Sequence, residues 1–188
     1  MRDVIVVGDG PTGLSAALLL AKNGLDVEVF GEGDTRMHNA HLTNYLGVES
    51  IDGSAFMTTA RQQCEAMGAV LTTARVTGVE RTDAGFQVTT ADGDTREGAY
   101  LVLATGNDRG LAADVGVETA ESERFHDEQT VAVDRRGRTS VEGVYAGGWT
   151  TRVYEIQAAI SVGDGAAIAL DILSRESDKP FHDFDAAP

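Results

Sequence analysis

Lysine is almost missing from this sequence. Only Lys22 and Lys179 stand beside 13 arginines, against 30 aspartates and glutamates, for a formal charge of -15. A surface this negative repels phosphate backbones, which sets nucleic acid aside as a partner. The acid is spread along the whole chain, with no local acidic tail to mark a docking site. Few lysines among many acids suits a halophilic, high-salt cell interior, where ions screen the self-repulsion. Cysteine is down to Cys64 alone, so no internal disulfide can form, in keeping with a cytoplasmic location. No apolar run approaches the roughly 20 residues a membrane span needs. Glycine and aspartate interrupt the opening run too early for a secretory signal.

Glycine, by contrast, is plentiful, with 22 in 188 residues and no collagen-like period. Hydrophobic residues make up 42%, enough for the core of one domain. The run Val4-Ile5-Val6-Val7 reads as a strand and is followed at once by Gly8-Asp9-Gly10-Pro11-Thr12-Gly13. Leu14, Ala17, Leu18 and Ala21 then recur at the spacing of one helical face, and Gly24 stands where a helix stop is expected. Val27-Glu28-Val29-Phe30 reads as a second strand, which completes a βαβ unit.

Residues 31–54 are polar and irregular, a long loop of the kind compact domains keep for function. A helix is predicted over 54–67, capped by Ser54, with Phe56, Ala60 and Cys64 on one side. Val70 and Leu71 suggest a short strand. Residues 75–81, 85–90 and 96–103 read as an antiparallel β-meander with a hairpin signal at Asp92-Gly93, its last stretch apolar enough to rejoin the central sheet. Residues 107–129 form a surface connection, 131–133 and 144–146 short strands, and 154–174 the final helix. The tail, 175–188, has no periodicity.

In Gly8-x-Gly10-x-x-Gly13 the first glycine permits a tight turn, the second lets a pyrophosphate approach the backbone, and the third lets helix and strand pack closely. The pyrophosphate would sit on free amides at the helix N-terminus, where the dipole favours negative charge. The plainer alternative is a tight turn that binds nothing. The fingerprint also calls for an acidic residue at the end of the second strand, to hold a ribose hydroxyl. That place holds Gly31, and the next residue, Glu32, is either the ribose ligand or a solvated loop charge.

Beyond this point the chain resembles a known family. Its opening, VVGDGPTGLSAALLLAKNGLDVEVF, is similar to the flavin domain of the pyridine nucleotide-disulfide oxidoreductases, thioredoxin reductase most of all. Asn44-Tyr45-Leu46-Gly47 with Gly53 resembles the segment that passes near the flavin. Ala104-Thr105-Gly106 resembles the second dinucleotide motif, and residues 138–148, RTSVEGVYAGG, the closing flavin segment. Gln157-Ala158 with Gly163-Asp164-Gly165-Ala166-Ala167 resembles the closing helix. The likeness spans residues 3–172. It implies an α/β fold: a Rossmann-like, three-layer FAD/NAD(P)-binding domain over 1–174 with a central parallel sheet and an antiparallel meander. It also implies a cofactor site at Gly8, Gly10, Pro11, Thr12, Gly13, Glu32, Asn44, Val76, Ala104, Thr105, Gly106, Gly148, Trp149, Gln157 and Ala158, with Val76 flanking the adenine.

Three departures qualify the likeness. About 30 residues, within the stretch 107–136, replace the family's nicotinamide domain, too few for another βαβ unit. No C-x-x-C pair exists, and Cys64 reads as structural. Trp149 aligns with the aspartate that the family places on the flavin's ribityl chain, and an indole cannot accept that bond. It either stacks on the isoalloxazine or fills space left by the lost domain. His38 and His41 in the long loop lack metal spacing. Each is either a proton donor or phosphate ligand, or a solvated loop residue. Arg109, Arg135 and Arg136 read as surface charges.

The expectation is a single-domain FAD-dependent oxidoreductase without a dithiol relay. It would be reduced by external NAD(P)H or a protein partner, act on a small molecule or protein redox partner, and pair as a homodimer. A non-catalytic dinucleotide-binding or partner-binding module is the alternative, and NAD or another adenine nucleotide could replace FAD.

Overall fold

Strict alternation builds the central layer. In β1 (Arg2–Val7), Val4 and Val6 pack to one side and Ile5 and Val7 to the other, and all four are buried. A strand sandwiched on both faces reads as one continuous apolar run, as the sequence does here. The structure, a computed structural model, describes residues 1–122 and 128–185. α1 (Pro11–Lys22) buries Leu14, Ala17 and Ala21 and stops at Gly24, whose φ of +90° no bulkier residue adopts comfortably. β2 (Val27–Gly31) then pairs in parallel with β1.

The loop beyond β2 has more structure than expected. It holds a short 3-10 turn, Arg36–Asn39, and a hairpin of β3 (His41–Leu42) with β4 (Ile51–Asp52). α2 (Gly53–Ala66) begins one residue before the predicted start, with Asp52 as its N-cap. Ser54, expected as the cap, lies inside the first turn with its hydroxyl on the His38 carbonyl, 3.4 Å away. The shift follows from Gly53, whose amide donates to Ala40 O at 2.8 Å.

β5 (Val70–Thr73) joins β2 in parallel, and β6 (Val76–Thr82), β7 (Gly85–Thr90) and β8 (Thr95–Leu103) form the antiparallel meander. The connection after β8 carries α3 (Gly110–Asp114) and an antiparallel pair, β9 (Thr119–Glu121) with β10 (Gln129–Val131), the latter two residues earlier than the predicted strand. Residues 123–127, part of that connection, lie outside the described residues. β11 (Val144–Ala146) and α4 (Ala158–Glu176) complete the chain. α4 starts four residues later than predicted because Tyr154 has φ +64°, which no right-handed helix accommodates. The described part of the tail is held down: Lys22 Nζ bonds Asp183 at 2.9 Å and Asp185 at 2.6 Å, and Phe181 packs on the core.

The sheet runs β5-β2-β1-β8-β7-β6, with β11 also on β8. Thr95–Gly98 serve the meander, while Leu101–Leu103 carry β11 on the same strand and β1 on its other edge. The helices cover one face, over Val4, Val6, Val27, Val29, Val102 and Tyr145. The meander covers the other, over Ile5, Val7, Phe30, Leu101 and Leu103. Three layers result, as the resemblance implied.

Asp171, on α4, is a buried carboxylate with a side chain only 1% exposed. Arg138 grips both its oxygens at 2.6 Å, Arg136 donates at 3.0 Å and Tyr145 Oη at 2.9 Å. Arg136 is thus not simply a surface charge, since its tip reaches a buried partner. Burial alone would raise the Asp171 pKa, but the hydrogen bonds from Arg138, Tyr145 and Arg136 outweigh it and hold the carboxyl below its ordinary value. A depressed folded value gives stability that is present above the unfolded value near ~4 and is lost as pH falls through the folded one. Asp171→Asn is expected to cost about 2 kcal/mol at pH 7, its arginines being partly solvated. In urea titrations the gap to the unaltered protein should narrow as pH falls below the unfolded value near ~4, and a gap independent of pH would refute the ionised state of this carboxyl.

Candidate functional site

Four of the parallel strands, β2, β1, β8 and β11, end side by side, with Val7 opposite Phe30 and Leu103, and Leu103 opposite Ala146. Ligands of open parallel sheets bind at this carboxyl edge. Nearly all the residues singled out in the sequence gather here: Gly8–Gly13 after β1, Glu32 after β2, Ala104-Thr105-Gly106 after β8, and Gly148-Trp149 after β11. Val76 lies three residues past the end of β5 and is buried in the meander-side core. Asn44 and Gln157, far apart in sequence, are joined by an amide hydrogen bond of 3.0 Å, which ties the long loop to the start of α4 beside Ala158.

The three glycines of the fingerprint separate into two kinds. A Cβ on Gly8 would lie 2.1 Å from Ala104 O, and one on Gly13 would lie 1.9 Å from Gly8 O. Both are demanded by the fold, whatever the turn binds. Gly10 is different. Its backbone is ordinary, with φ -77° and ψ -176°, and a Cβ there would meet nothing closer than Thr35 Oγ1 at 3.6 Å. Neither conformation nor packing requires glycine at position 10, so the space in front of it is free for a group from outside. Next to it, Pro11 occupies the first position of α1, and the amides of Thr12 and Gly13 have no carbonyl a turn earlier to bond.

Thr12 is buried beneath Gly148, whose amide donates to Asp164 Oδ2 at 3.0 Å. That carboxylate also binds Arg152 at 2.7 Å. Thr105 and Thr150 hydroxyls lie 3.3 Å apart, and Thr150 donates to Gly106 O at 3.0 Å, so the ends of β8 and β11 are latched together. The Trp149 ring is half-buried with the Arg36 guanidinium 4.2 Å from its centroid, a cation–π contact.

Charge at this edge departs from that of the whole chain. Arg61 and Arg152 are paired with Asp9 and Asp164, but Arg36 and Arg109 have no carboxylate partner among the described residues. Arg109 was expected to be a surface charge. Instead its Nε and Nη2 are buried with no hydrogen-bond partner, while Nη1 holds Asn107 Oδ1 at 2.8 Å. Arg36 and Arg109 are therefore the side chains here able to meet an anion, next to the exposed acids Glu32 and Asp34.

Asp9, Arg36, Arg61 and Asp164 were not singled out by sequence reasoning. Asp9 and Asp164 did carry a local signal, Asp9 between the first two fingerprint glycines and Asp164 within the closing-helix motif; Arg36 and Arg61 carried none. Glu32 is exposed. His38 Nδ1 lies 3.1 Å from Ser54 Oγ and His41 Nδ1 2.7 Å from Asp52 Oδ1, both at the surface. Among the described residues no group of three or more His, Cys, Asp or Glu is placed to hold a metal. Cys64 is fully buried, with Sγ 3.2 Å from Leu14 O, and burial pushes its thiol up to about 11. It stays protonated at neutral pH.

Comparison with known proteins agrees with this geometry. The sequence profile of the pyridine nucleotide-disulphide oxidoreductases matches residues 2–109. The thioredoxin reductase of Helicobacter pylori is 29% identical over 172 residues, covering 83% of this chain and 55% of that protein. A Staphylococcus aureus alkyl hydroperoxide reductase component is 30% identical over 107 residues, 55% of this chain and 21% of that one. The chain thus spans about half the length of the first relative and a fifth of the second. Among solved structures, the atypical thioredoxin reductase TRi from Desulfovibrio vulgaris Hildenborough superposes with TM-score 0.78 at 21% identity, over 96% of this chain and 100% of that one. A thioredoxin reductase from Gloeobacter violaceus gives 0.78 at 18%, over 100% and 99%.

The division among the glycines is open to test. Gly13→Ala should unfold the protein or cost it several kcal/mol, since backbone must move. Gly10→Ala should melt within a few degrees of the unaltered protein, as expected for a surface change worth about 0.5 kcal/mol. Comparable destabilisation by both would mean that position 10 is glycine for packing alone.

Proposed function

Because the chain belongs to the pyridine nucleotide-disulphide oxidoreductase family, we propose that it binds FAD along the strand-end edge and acts as an oxidoreductase reduced by diffusing NAD(P)H or a protein donor. Gly10 carries this reading: its open side, beside the first-turn amides of α1, suits a diphosphate. FAD, when bound, supplies electron transfer at its isoalloxazine ring. The chain's own part is to bind and orient. The α1 amides hold the diphosphate, with Arg36 and Arg109 as neutralising charges and Val76 beside the adenine. Asn44 and Gln157 fix the two loops that face each other across the edge. Trp149 presents an aromatic face where the family has a carboxylate.

Reduction of a disulfide by a C-x-x-C relay is not part of this proposal. The chain has one cysteine, and that one is buried and protonated. In this reading the short connection within 107–136 stands in place of the family's nicotinamide domain, so the nicotinamide would come from solution. The unit is taken as one FAD/NAD(P)-binding domain over 1–174.

The second reading, a dinucleotide-binding module without turnover, draws on the Arg36–Trp149 stack, which occupies one side of the edge. Protein purified or reconstituted with FAD should show a flavin spectrum bleached by dithionite, and should oxidise NADH or NADPH with a generic acceptor faster than free flavin. Binding without turnover favours the module, and no FAD uptake sinks both flavin readings. Mass spectrometry of ligand released on denaturation would reveal NAD or another adenine nucleotide in its place.

Leu46, Val48, Tyr154 and Ile156 are exposed apolar side chains on the two loops that Asn44 and Gln157 join. We assign them to a homodimer contact. Light scattering at micromolar concentration should give twice the chain mass, falling to one with Leu46→Lys. A monomer throughout would remove this assignment.

A further inference from the structure

Among the described residues three carboxylates are buried, Asp9, Glu28 and Asp171. Two are satisfied on both oxygens. Glu28 takes Thr72 on Oε1 at 2.7 Å and Arg2 on Oε2 at 2.9 Å, and Asp171 takes donors on each side. Asp9 is satisfied on one only. Its Oδ2 accepts from Arg61 Nη1 at 2.6 Å and from Gly33 N at 3.1 Å, while Oδ1 accepts from no donor among the described residues. The residue is 7% exposed. Oδ1 is not fully buried, so it stays open to a donor that arrives from outside the protein.

Its position gives the spare oxygen a use. A Cβ built on Gly31 would fall 2.2 Å from Asp9 Cγ and 2.4 Å from Oδ1. Gly31 is the last residue of β2, the place from which a dinucleotide fold sends an acidic side chain to a ribose diol. The carboxylate of Asp9 fills the volume that such a side chain would enter. Glycine at 31 is then the condition for Asp9 to lie where it does, and no side chain at position 31 could coexist with it. Arg61 and the Gly33 amide fix the Asp9 rotamer and leave Oδ1 as the acceptor.

We infer that Asp9, delivered from the glycine turn and held by Arg61, is the residue that accepts hydrogen bonds from the adenosine ribose hydroxyls, in place of an acidic residue at the end of β2. The inference rests on the FAD reading above. Glu32, exposed and without a hydrogen-bond partner among the described residues, has no structural support of this kind.

The test is binding of ADP, 2′-deoxy-ADP and 3′-deoxy-ADP, measured by calorimetry on the whole chain and its variants. With unaltered protein, loss of a hydroxyl that bonds the carboxylate should weaken binding about tenfold or more. Asp9→Asn should weaken ADP itself and abolish the penalty for the deoxy analogue, whereas Glu32→Gln should leave that penalty intact. The first comparison needs no variant, so a misfolded Asp9→Asn cannot obscure it. Equal affinity of the unaltered protein for all three nucleotides, or a penalty that vanishes in Glu32→Gln, overturns the role of Asp9 while leaving the flavin reading standing. Failure of ADP and FAD alike to bind removes both.

Discussion

Backbone meets backbone where α1 enters the sheet, and the rest of the architecture depends on that approach. Gly8 lies against the Ala104 carbonyl, Gly13 against Gly8 itself, and Gly165 of α4 against the Thr12 carbonyl. With side chains at these points, α1 would stand off from β1 and β8 and α4 from α1. Ser15 Oγ, 2.7 Å from Val162 O, and the buried Thr12 could not form. The same closeness brings the start of α1 to the carboxyl ends of four strands, where its unbonded amides and dipole are concentrated. Fold and anion site have a single cause.

Electrostatics follows the same division of space. Across most of its surface the chain is acidic, and its arginines are largely engaged with carboxylates, as in the cluster around Asp171. At the strand-end edge two arginines lack a carboxylate among the described residues, with Arg36 on an indole and Arg109 partly buried. Of the two, only Arg109 holds guanidinium nitrogens away from solvent without a partner, which is the costly arrangement.

Much of the framework was legible in advance, for reasons particular elements make plain. The βαβ unit is local: an apolar strand, three glycines and a 3.6-residue period lie within 30 residues, and each carries its own signal. The meander is legible because Asp92-Gly93 dictates a turn whatever surrounds it, and Gly93 indeed takes φ +87°. The start of α4 is not legible, because Tyr154 and Ile156 continue the apolar pattern while the left-handed backbone of Tyr154 interrupts the helix. The 3-10 turn and β3–β4 hairpin were missed because pairs of two residues leave no period to detect. The tail shows no pattern in the sequence, since Lys22 and Asp183 find each other only in three dimensions.

Sequence alone determined that a glycine turn opens a parallel α/β sheet, that no dithiol can form within this chain, and that the carboxyl ends of the strands bear the dinucleotide motifs, because each of these is written in neighbouring residues. Which charges face that edge was decided only by the folded chain. Asp9 meets Arg61 across 52 positions, Arg36 reaches Trp149, and Arg109 loses its solvent, since burial and pairing arise from contacts between distant segments. A periodicity can announce a strand, but the room left beside Gly10 and Gly31 exists only once all the layers have closed around them.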